Sequence, residues 1–238
     1  MIKNILFDLD GSLLPMDQDI FIEAYMRSLS AHMAPYGYDP KLLVKSIWTG
    51  TGAMVKNDGS VSNEEAFWNC FAQIFGEEAK KDEPKFEEYY RTGFAAVKKA
   101  CGYLEGAKPL IEVLKARGYR LILATNPIFP PIATNQRIAW AGLSVEDFEF
   151  VTTYDNSRFC KPNPNYYREI FKMLELEPQE CLMVGNDVTE DMVAQTLGCK
   201  VFLLTDCLIN KAGEDISQYP QGGFEELLRF VEEKGNIE

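Results

Sequence analysis

The chain has 238 residues, of which 46% are hydrophobic and 25% charged, as is typical of one globular domain or a domain with an insertion. Its formal net charge of -12 argues against non-specific nucleic-acid binding, which needs clustered lysine and arginine. There is no apolar run near the roughly 20 residues of a membrane span and no secretory signal at the start. Six cysteines without CxxC spacing read as free thiols. These features together predict a cytoplasmic protein that binds neither nucleic acid nor membrane.

Short apolar runs that end in polar residues are typical of strands buried on both faces of a parallel sheet. In chain order these runs are residues 5–7, 121–124, 150–153, 181–184 and 201–204. Helical apolar patterns lie between or after them, at residues 110–114, 164–174, 189–197 and 224–231. The alternation predicts an α/β fold with a doubly wound, Rossmann-like parallel sheet. Ligands of such sheets bind at the carboxyl ends of the strands.

The segment of residues 15–101 has helical patterns but no run typical of a buried strand. We predict that it forms an all-helical domain inserted into a core of residues 1–14 and 102–238. Between two of its helical patterns lies a stretch rich in glycine and threonine, residues 48–54. We predict a loop there that either faces the substrate or joins two helices, with Thr49 and Thr51 as candidate substrate-binding residues.

Four short motifs occur at the ends of predicted strands or in loops. Residues 8–12, with the sequence DLDGS, follow the first strand, and Thr125 ends the second. A loop contains residues 161–167, KPNPNYY, and the strand at residues 181–184 is followed by an acidic segment, GNDVTED, at residues 185–191. In this order and over essentially the whole chain, the motifs resemble those of the haloacid dehalogenase-like hydrolase superfamily, in the branch with a helical cap between the first and second motifs.

The resemblance implies a phosphatase that acts on a small phosphorylated metabolite through an aspartyl-phosphate intermediate. Phosphoryl transfer needs a nucleophile, a proton shuttle and neutralisation of the phosphoryl oxygens. Asp8 would be the nucleophile, and Asp10 would protonate the leaving oxygen and later activate water. Thr125 would donate a hydrogen bond to a phosphoryl oxygen, and Lys161 would neutralise nucleophile and phosphate together.

Further contacts to the substrate are expected from backbone amides and a neighbouring side chain. Free amides around Leu9 to Gly11 would add a small anion-binding nest. Asn126, directly after the motif threonine, is a further candidate substrate-binding residue.

The expected cofactor is Mg²⁺, since a carboxylate cannot approach a phosphate dianion without a cation. Its ligands would be the Asp8 carboxylate, the Asp10 carbonyl and Asp187, whose charge and spacing to Asp191 favour it. An alternative register places Asn186 at the metal position. Asp191 is predicted to orient the motif lysine or a metal-bound water, or else to interact with a helix dipole.

Several alternatives stay open from the sequence. A sugar phosphomutase would need cap groups that hold a bisphosphate, and a phosphonate hydrolase would need a Schiff-base lysine, for which Lys41, Lys45 and Lys56 are available. Asp10 argues against a dehalogenase, which has no leaving oxygen to protonate. A non-catalytic binding or regulatory protein is the remaining alternative. The sequence identifies no substrate, and it is compatible with a monomer or a homodimer.

Overall fold

The computed structural model describes residues 1–234. A sheet of six parallel strands forms its centre, and the order of the strands in the sheet is β3-β2-β1-β4-β5-β6. The strands are β1 Asn4–Phe7, β2 Arg120–Leu123, β3 Phe150–Val151, β4 Cys181–Gly185, β5 Lys200–Leu204 and β6 Gln221–Gly222. The helices are α1 Gln18–Met33, α2 Pro40–Val55, α3 Asn63–Phe75, α4 Glu83–Thr92, α5 Ala107–Ala116, α6 Pro131–Trp140, α7 Pro164–Leu174 and α8 Phe224–Lys234. This architecture confirms the predicted α/β, Rossmann-like fold.

The apolar runs form strands because both of their faces are buried. Ile5 and Phe7 of β1 pack into one hydrophobic layer together with residues of α5 and α8. Leu6 points to the opposite layer, where it packs with residues of α7. Alternate side chains of a strand lie on opposite faces, so a strand between two helical layers must be apolar throughout.

The register of the central strands determines where the polar residues after them meet. Phe7 of β1 is level with Leu123 of β2 and with Val184 of β4. The chain leaves β1 toward β2 on one side and later returns to β4 on the other, which makes the end of β1 a topological switch point. The segments that follow these three strands therefore lie at one edge of the sheet.

The chain between β1 and β2 is helical, as predicted, and we call residues 15–101 the cap. It contains α1 to α4 and three shorter 3₁₀ helices, Ala34–Tyr36, Glu77–Asp82 and Phe94–Ala100. The entering and returning chain segments meet where Met16 and Cys101 form an antiparallel bridge and the Gly102 amide donates to the Pro15 carbonyl at 2.7 Å. The division of the chain into domains at residues 14/15 and 101/102 stays a prediction.

The stretch rich in glycine and threonine is not a loop, and this prediction was wrong. Residues 48–54 lie inside α2. Gly50 faces α3, and a Cβ atom placed on it would lie 2.6 Å from Cδ2 of Phe67. The glycine thus permits close packing of two helices, and the helix is retained because tertiary contacts outweigh its low helical propensity.

The two glycines of α2 should respond to alanine in opposite ways. A Cβ at Gly52 would have no atom within 4 Å. We therefore expect Gly52→Ala to raise the free energy of unfolding by about 0.5–1 kcal/mol, because alanine loses less backbone entropy on folding. Gly50→Ala should lower it, because the Phe67 ring must move. Urea denaturation measures both, and equal stabilisation by the two variants would contradict the close packing of α2 on α3.

Three further details differ from the sequence predictions. The helix expected from Thr189 onward is a 3₁₀ helix, Met192–Leu197, and the Thr189 amide instead donates to the Asp187 carboxylate at 2.8 Å. Helix α6 was not predicted, because its buried face contains Thr134 and Arg137 and so lacks an apolar period. Strand β6 is two residues long and has no apolar run.

All six cysteines are free thiols, as predicted. Cys160 precedes the motif lysine and is 1% exposed. Burial raises the pKa of its thiol to about 12, so it stays protonated at neutral pH and packs as a small apolar side chain. Within residues 1–234, none of the helices is long and apolar enough to cross a membrane.

Candidate active site

Asp8 is the first residue after β1, and two buried groups hold its carboxylate. Lys161 Nζ lies 2.9 Å from Oδ1, and Ser12 Oγ lies 3.0 Å from Oδ2. The Asp8 amide donates to the Val184 carbonyl at 2.9 Å, which extends the pairing of β1 with β4 by one residue. The carboxylate is therefore fixed in position at the edge of the sheet.

Lys161 is completely buried between two carboxylates. Its Nζ lies 2.9 Å from Asp8 Oδ1 and 2.6 Å from Asp191 Oδ1. Burial alone would lower the pKa of Lys161, but the Asp191 and Asp8 carboxylates raise it well above its ordinary value. The lysine is consequently a permanent cation next to Asp8.

Asp191 reaches the lysine because the residue opposite it is glycine. A Cβ atom on Gly185, the last residue of β4, would lie 2.1 Å from Asp191 Oδ2. Burial raises the pKa of Asp191 to about 6, and the Lys161 charge offsets this effect only in part. The contact with Lys161 is the one that the lysine-orienting role requires, and the role of Asp191 stays a prediction.

Ser12 connects Asp8 with Asn186. Its Oγ lies 3.0 Å from Asp8 Oδ2 and 2.9 Å from Asn186 Oδ1, so its one proton serves either acceptor. Asn186 Nδ2 donates to the Cys207 carbonyl at 2.6 Å. Gly11 has a φ of 84°, and a Cβ on it would lie 2.3 Å from Asn186 Nδ2. Glycine is required at this turn both by its backbone conformation and by the close approach of the amide.

In the turn after β1 the Gly11 amide is bonded locally, which corrects the predicted anion-binding nest at this one residue. The Gly11 amide donates to the Leu14 carbonyl at 2.8 Å, and the Leu9 carbonyl accepts from the Ser12 and Leu14 amides at 3.1 and 2.8 Å. The Gly11 amide is therefore not free for a phosphate. The reason is that the chain folds back over a tight turn, where backbone donors are satisfied locally. The Leu9 side chain is completely buried.

Asp10 forms an ion pair that the sequence did not reveal. Arg137 Nη1 of α6 donates to Asp10 Oδ2, and the guanidinium lies over the Phe129 ring, 4.4 Å from its centroid. Arg137 is completely buried, and Asp10 Oδ1 is buried without a hydrogen-bond partner. Burial raises the pKa of Asp10, and Arg137 counteracts this only in part. The carboxyl group is thereby biased toward its protonated form, which suits a proton donor.

The residues after β2 form the next wall of the site. The Thr125 carbonyl accepts from the hydroxyls of Tyr166 at 2.9 Å and Thr152 at 2.6 Å, which fixes the end of the strand. Asn126 Nδ2 donates to Glu190 Oε2 at 3.0 Å. Burial raises the pKa of Glu190 to about 8. Glu190 was not predicted as a site residue, because the fourth motif is defined by Asp187 and Asp191 on either side of it.

Asp187 and Asn186 are used differently by the loop after β4. Asp187 Oδ1 accepts from the amides of Thr189 and Glu190 at 2.8 and 2.9 Å, and its own amide donates to Asp191 Oδ2 at 3.0 Å. One oxygen of Asp187 is thus directed into its own turn, whereas Asn186 lies beside Ser12. Within residues 1–234 no group of three or more His, Cys, Asp and Glu side chains forms a ready metal cluster.

A cavity of about 210 Å³ lies between this edge of the sheet and the cap. Its wall on the core side includes the predicted polar residues together with Glu190. These are Asp8, Asp10, Thr125, Asn126, Asn186, Asp187, Glu190 and Asp191. Of the predicted cap residues, Thr51 lines the cavity. Thr49 is exposed outside it, and its hydroxyl donates to the Lys45 carbonyl at 2.8 Å. The structure therefore gives no support to Thr49 as a substrate contact.

The family model for haloacid dehalogenase-like hydrolases matches residues 2–195, which include all four motifs. The chain belongs to this family. It is accordingly an enzyme of the hydrolase class, and the resemblance predicted from the motifs is confirmed.

Individual proteins similar to this hydrolase carry different names. The pyrophosphatase PpaX of Bacillus mycoides (strain KBAB4) is 21% identical over 214 residues, which are 89% of this chain and 87% of the relative. A 2-haloacid dehalogenase from Pseudomonas syringae pv. Tomato DC3000 is 20% identical with a TM-score of 0.63, covering 98% and 100% of the two chains. A family enzyme from Bacteroides thetaiotaomicron, solved with magnesium and inorganic phosphate, is 20% identical with a TM-score of 0.52, covering 91% and 98%. At these identities the two structures show a common fold.

Proposed function

We propose that this hydrolase is a phosphatase that cleaves phosphate monoesters of small metabolites through an aspartyl-phosphate at Asp8. The observation that carries the proposal is the Asp8 carboxylate itself, held by Lys161 and Ser12 at the floor of the cavity. Asp10, with a raised pKa and a place in the same cavity, supplies the second group that the reaction requires. The pyrophosphatase among the similar proteins supports phosphoryl chemistry.

In the first step, a carboxylate oxygen of Asp8 attacks phosphorus while the bond from phosphorus to the alcohol oxygen breaks. Asp10 transfers its proton to that leaving oxygen. In the second step, Asp10 takes a proton from water, and the water oxygen attacks the phosphorus of the acyl phosphate. The bond from phosphorus to Asp8 breaks, which releases phosphate and restores both carboxyl groups. Lys161 neutralises the charge of Asp8 and the phosphoryl oxygens, and Thr125 donates a hydrogen bond to the phosphate.

The donor set fits Mg²⁺, which accepts one or two carboxylates with other oxygens and retains several waters. The candidate ligands are the Asp8 carboxylate, the Asp10 carbonyl and a side-chain oxygen of the loop after β4. We favour Asn186 over Asp187 for that oxygen, because Asn186 shares Ser12 with Asp8 whereas Asp187 Oδ1 accepts two amides. When bound, the ion would neutralise phosphoryl oxygens and reduce the repulsion between them and Asp8.

Hydrolysis of 4-nitrophenyl phosphate tests the proposal. We expect turnover in Mg²⁺, loss of turnover after treatment with EDTA, and recovery when Mg²⁺ is restored. Turnover that persists in the chelator would contradict the metal requirement. Lack of hydrolysis of any phosphate ester, with folded protein and Mg²⁺ present, would contradict the phosphatase function.

The alternatives find less support in the cap. Lys41, Lys45 and Lys56, the candidates for a Schiff base, are exposed, and the described cap residues that line the cavity include no lysine or arginine. A phosphonate hydrolase and a mutase that holds a bisphosphate would need such groups. Asp10 argues against a dehalogenase and against a purely regulatory protein. A cytoplasmic location and a monomeric or homodimeric state stay predictions.

The effect of Arg137 on kcat should be largest when the leaving group of the ester is poor. Arg137→Met removes the group that holds the Asp10 carboxyl in position, and a displaced proton donor is ineffective even though loss of the guanidinium raises its pKa further. We therefore expect kcat for an alkyl phosphate to fall roughly 10²-fold, in the range of general acid catalysis. Nitrophenolate needs little protonation, and kcat for 4-nitrophenyl phosphate should fall clearly less. Steady-state kinetics with both esters measure the difference. An equal loss for both esters would indicate that Arg137 supports the fold rather than the proton transfer.

A further inference from the structure

We propose that the cavity selects phosphate monoesters whose leaving group is apolar or aromatic and carries no second anionic group. This inference rests on the proposed phosphatase function and concerns the part of the cavity that would hold the leaving group. It predicts that pyrophosphate, bisphosphates and phosphorylated carboxylic acids are poor substrates.

The distribution of charged side chains around the cavity supports this selectivity. All charged side chains that line the cavity within residues 1–234 are carboxylates. Lys161 and Arg137, the cations next to the reacting groups, are completely buried and already paired with Asp8 and Asp191 or with Asp10. Within residues 1–234 no cation on the cavity wall itself is available to bind a second anion.

The cap end of the cavity is negative. Glu83 and Glu87 of α4 both line it, and Glu87 is the partner of Arg91 at 2.7 Å. Burial and the neighbouring Glu64 raise the pKa of Glu83, as expected where carboxylates are close together. A second anion on the substrate would be placed near Glu83, for which the described residues provide no ion-pair partner, and unpaired like charge is an effective means of rejecting a ligand.

Much of the remaining cap wall is aromatic. Trp68 lies edge-on to Phe67 and to Phe86, with ring centroids 5.4 and 5.5 Å apart, and Tyr25 and Tyr90 stack at 6.4 Å. All five rings line the cavity. Rings that are already packed against each other lose little entropy when they contact an apolar group. This wall matches an apolar or aromatic leaving group.

A matched pair of substrates tests the inference: 4-(carboxymethyl)phenyl phosphate and its methyl ester. The two phenols are similar leaving groups, so a difference in kcat/KM reports the cavity. We expect wild-type kcat/KM to be about tenfold or more higher for the neutral ester. Pyrophosphate should be a poor substrate as well. In Glu83→Lys the preference should shrink or reverse, whereas Glu225→Lys, the same charge change at an exposed position of α8, should keep it.

The results for these substrates and variants distinguish failure of the proposed selectivity from failure of the proposed phosphatase function. Equal or faster hydrolysis of the carboxylate-bearing ester by the wild type would overturn the inference and leave the phosphatase function intact. The same holds if Glu83→Lys keeps the wild-type preference as Glu225→Lys does. Hydrolysis of neither ester in Mg²⁺ by folded protein would overturn the phosphatase function, and the inference with it.

Discussion

Asp8→Asn is expected to lower kcat for phosphate-ester hydrolysis by on the order of 10⁴-fold or more, as removal of a nucleophile does in other hydrolases. Asparagine keeps the shape of the side chain. Its Oδ1 can still accept from Lys161, and its Nδ2 can donate to Ser12 Oγ, whose proton is then available to Asn186 Oδ1. The amide, however, does not form a stable bond to phosphorus. The free energy of unfolding should change little, because Asp191 still balances the Lys161 charge. Rates with 4-nitrophenyl phosphate and urea denaturation of the same preparation measure the two effects.

Asp215→Asn is the matched control for this variant. Asp215 is exposed in the loop after β5 and accepts from the Ser217 amide at 2.9 Å. The same chemical change there should leave kcat at the wild-type value. Wild-type turnover by folded Asp8→Asn would rule out Asp8 as the nucleophile.

Lys161→Met should have the second large effect, on stability and on activity together. It leaves the buried Asp8 and Asp191 carboxylates without their shared cation, and loss of one partner of a buried ion pair costs about 3–5 kcal/mol. We also expect kcat to fall by about 10²–10³-fold, because the charge that faces the phosphate is lost. Denaturation and steady-state rates are the two measurements.

Two further variants test whether the effect of Lys161→Met comes from the loss of the buried ion pairs. Lys3 pairs with Glu180 at 2.6 Å on the surface, and Lys3→Met should change stability by no more than about 1 kcal/mol. The double variant Lys161→Met with Asp191→Asn should recover part of the stability but not the activity, because one unpaired charge has been removed. Equal stability losses for the Lys161 and Lys3 variants would contradict the buried ion network.

The positions of the motif residues could be predicted because each follows or lies near a recognisable apolar strand. A parallel sheet places the carboxyl ends of β1, β2 and β4 side by side, so Asp8, Thr125 and Asn186 meet whatever the details of the helices. Lys161 was predicted from its motif alone. Its pairing with Asp191 corresponds to one of three roles that the sequence left open for that aspartate.

Arg137 could not be predicted, because its partner Asp10 is 127 positions away in the sequence. The helix that carries it has a polar buried face, and an apolar period is the signal on which helix prediction depends. The use of the Gly11 amide within its own turn also depends on a local geometry that spacing does not determine. In α2, packing against Phe67 keeps a stretch with two glycines helical, whereas the sequence favoured a loop.

Chemical trapping of the acyl phosphate is the most direct test of Asp8 as the nucleophile. The enzyme would be mixed with a phosphate ester labelled at phosphorus, quenched in acid during turnover, and treated with borohydride, which reduces an aspartyl-phosphate to homoserine. We expect label on the protein before reduction and homoserine at position 8 by peptide mass spectrometry, with neither in Asp8→Asn. Steady turnover without labelled protein, or homoserine at another position, would contradict it.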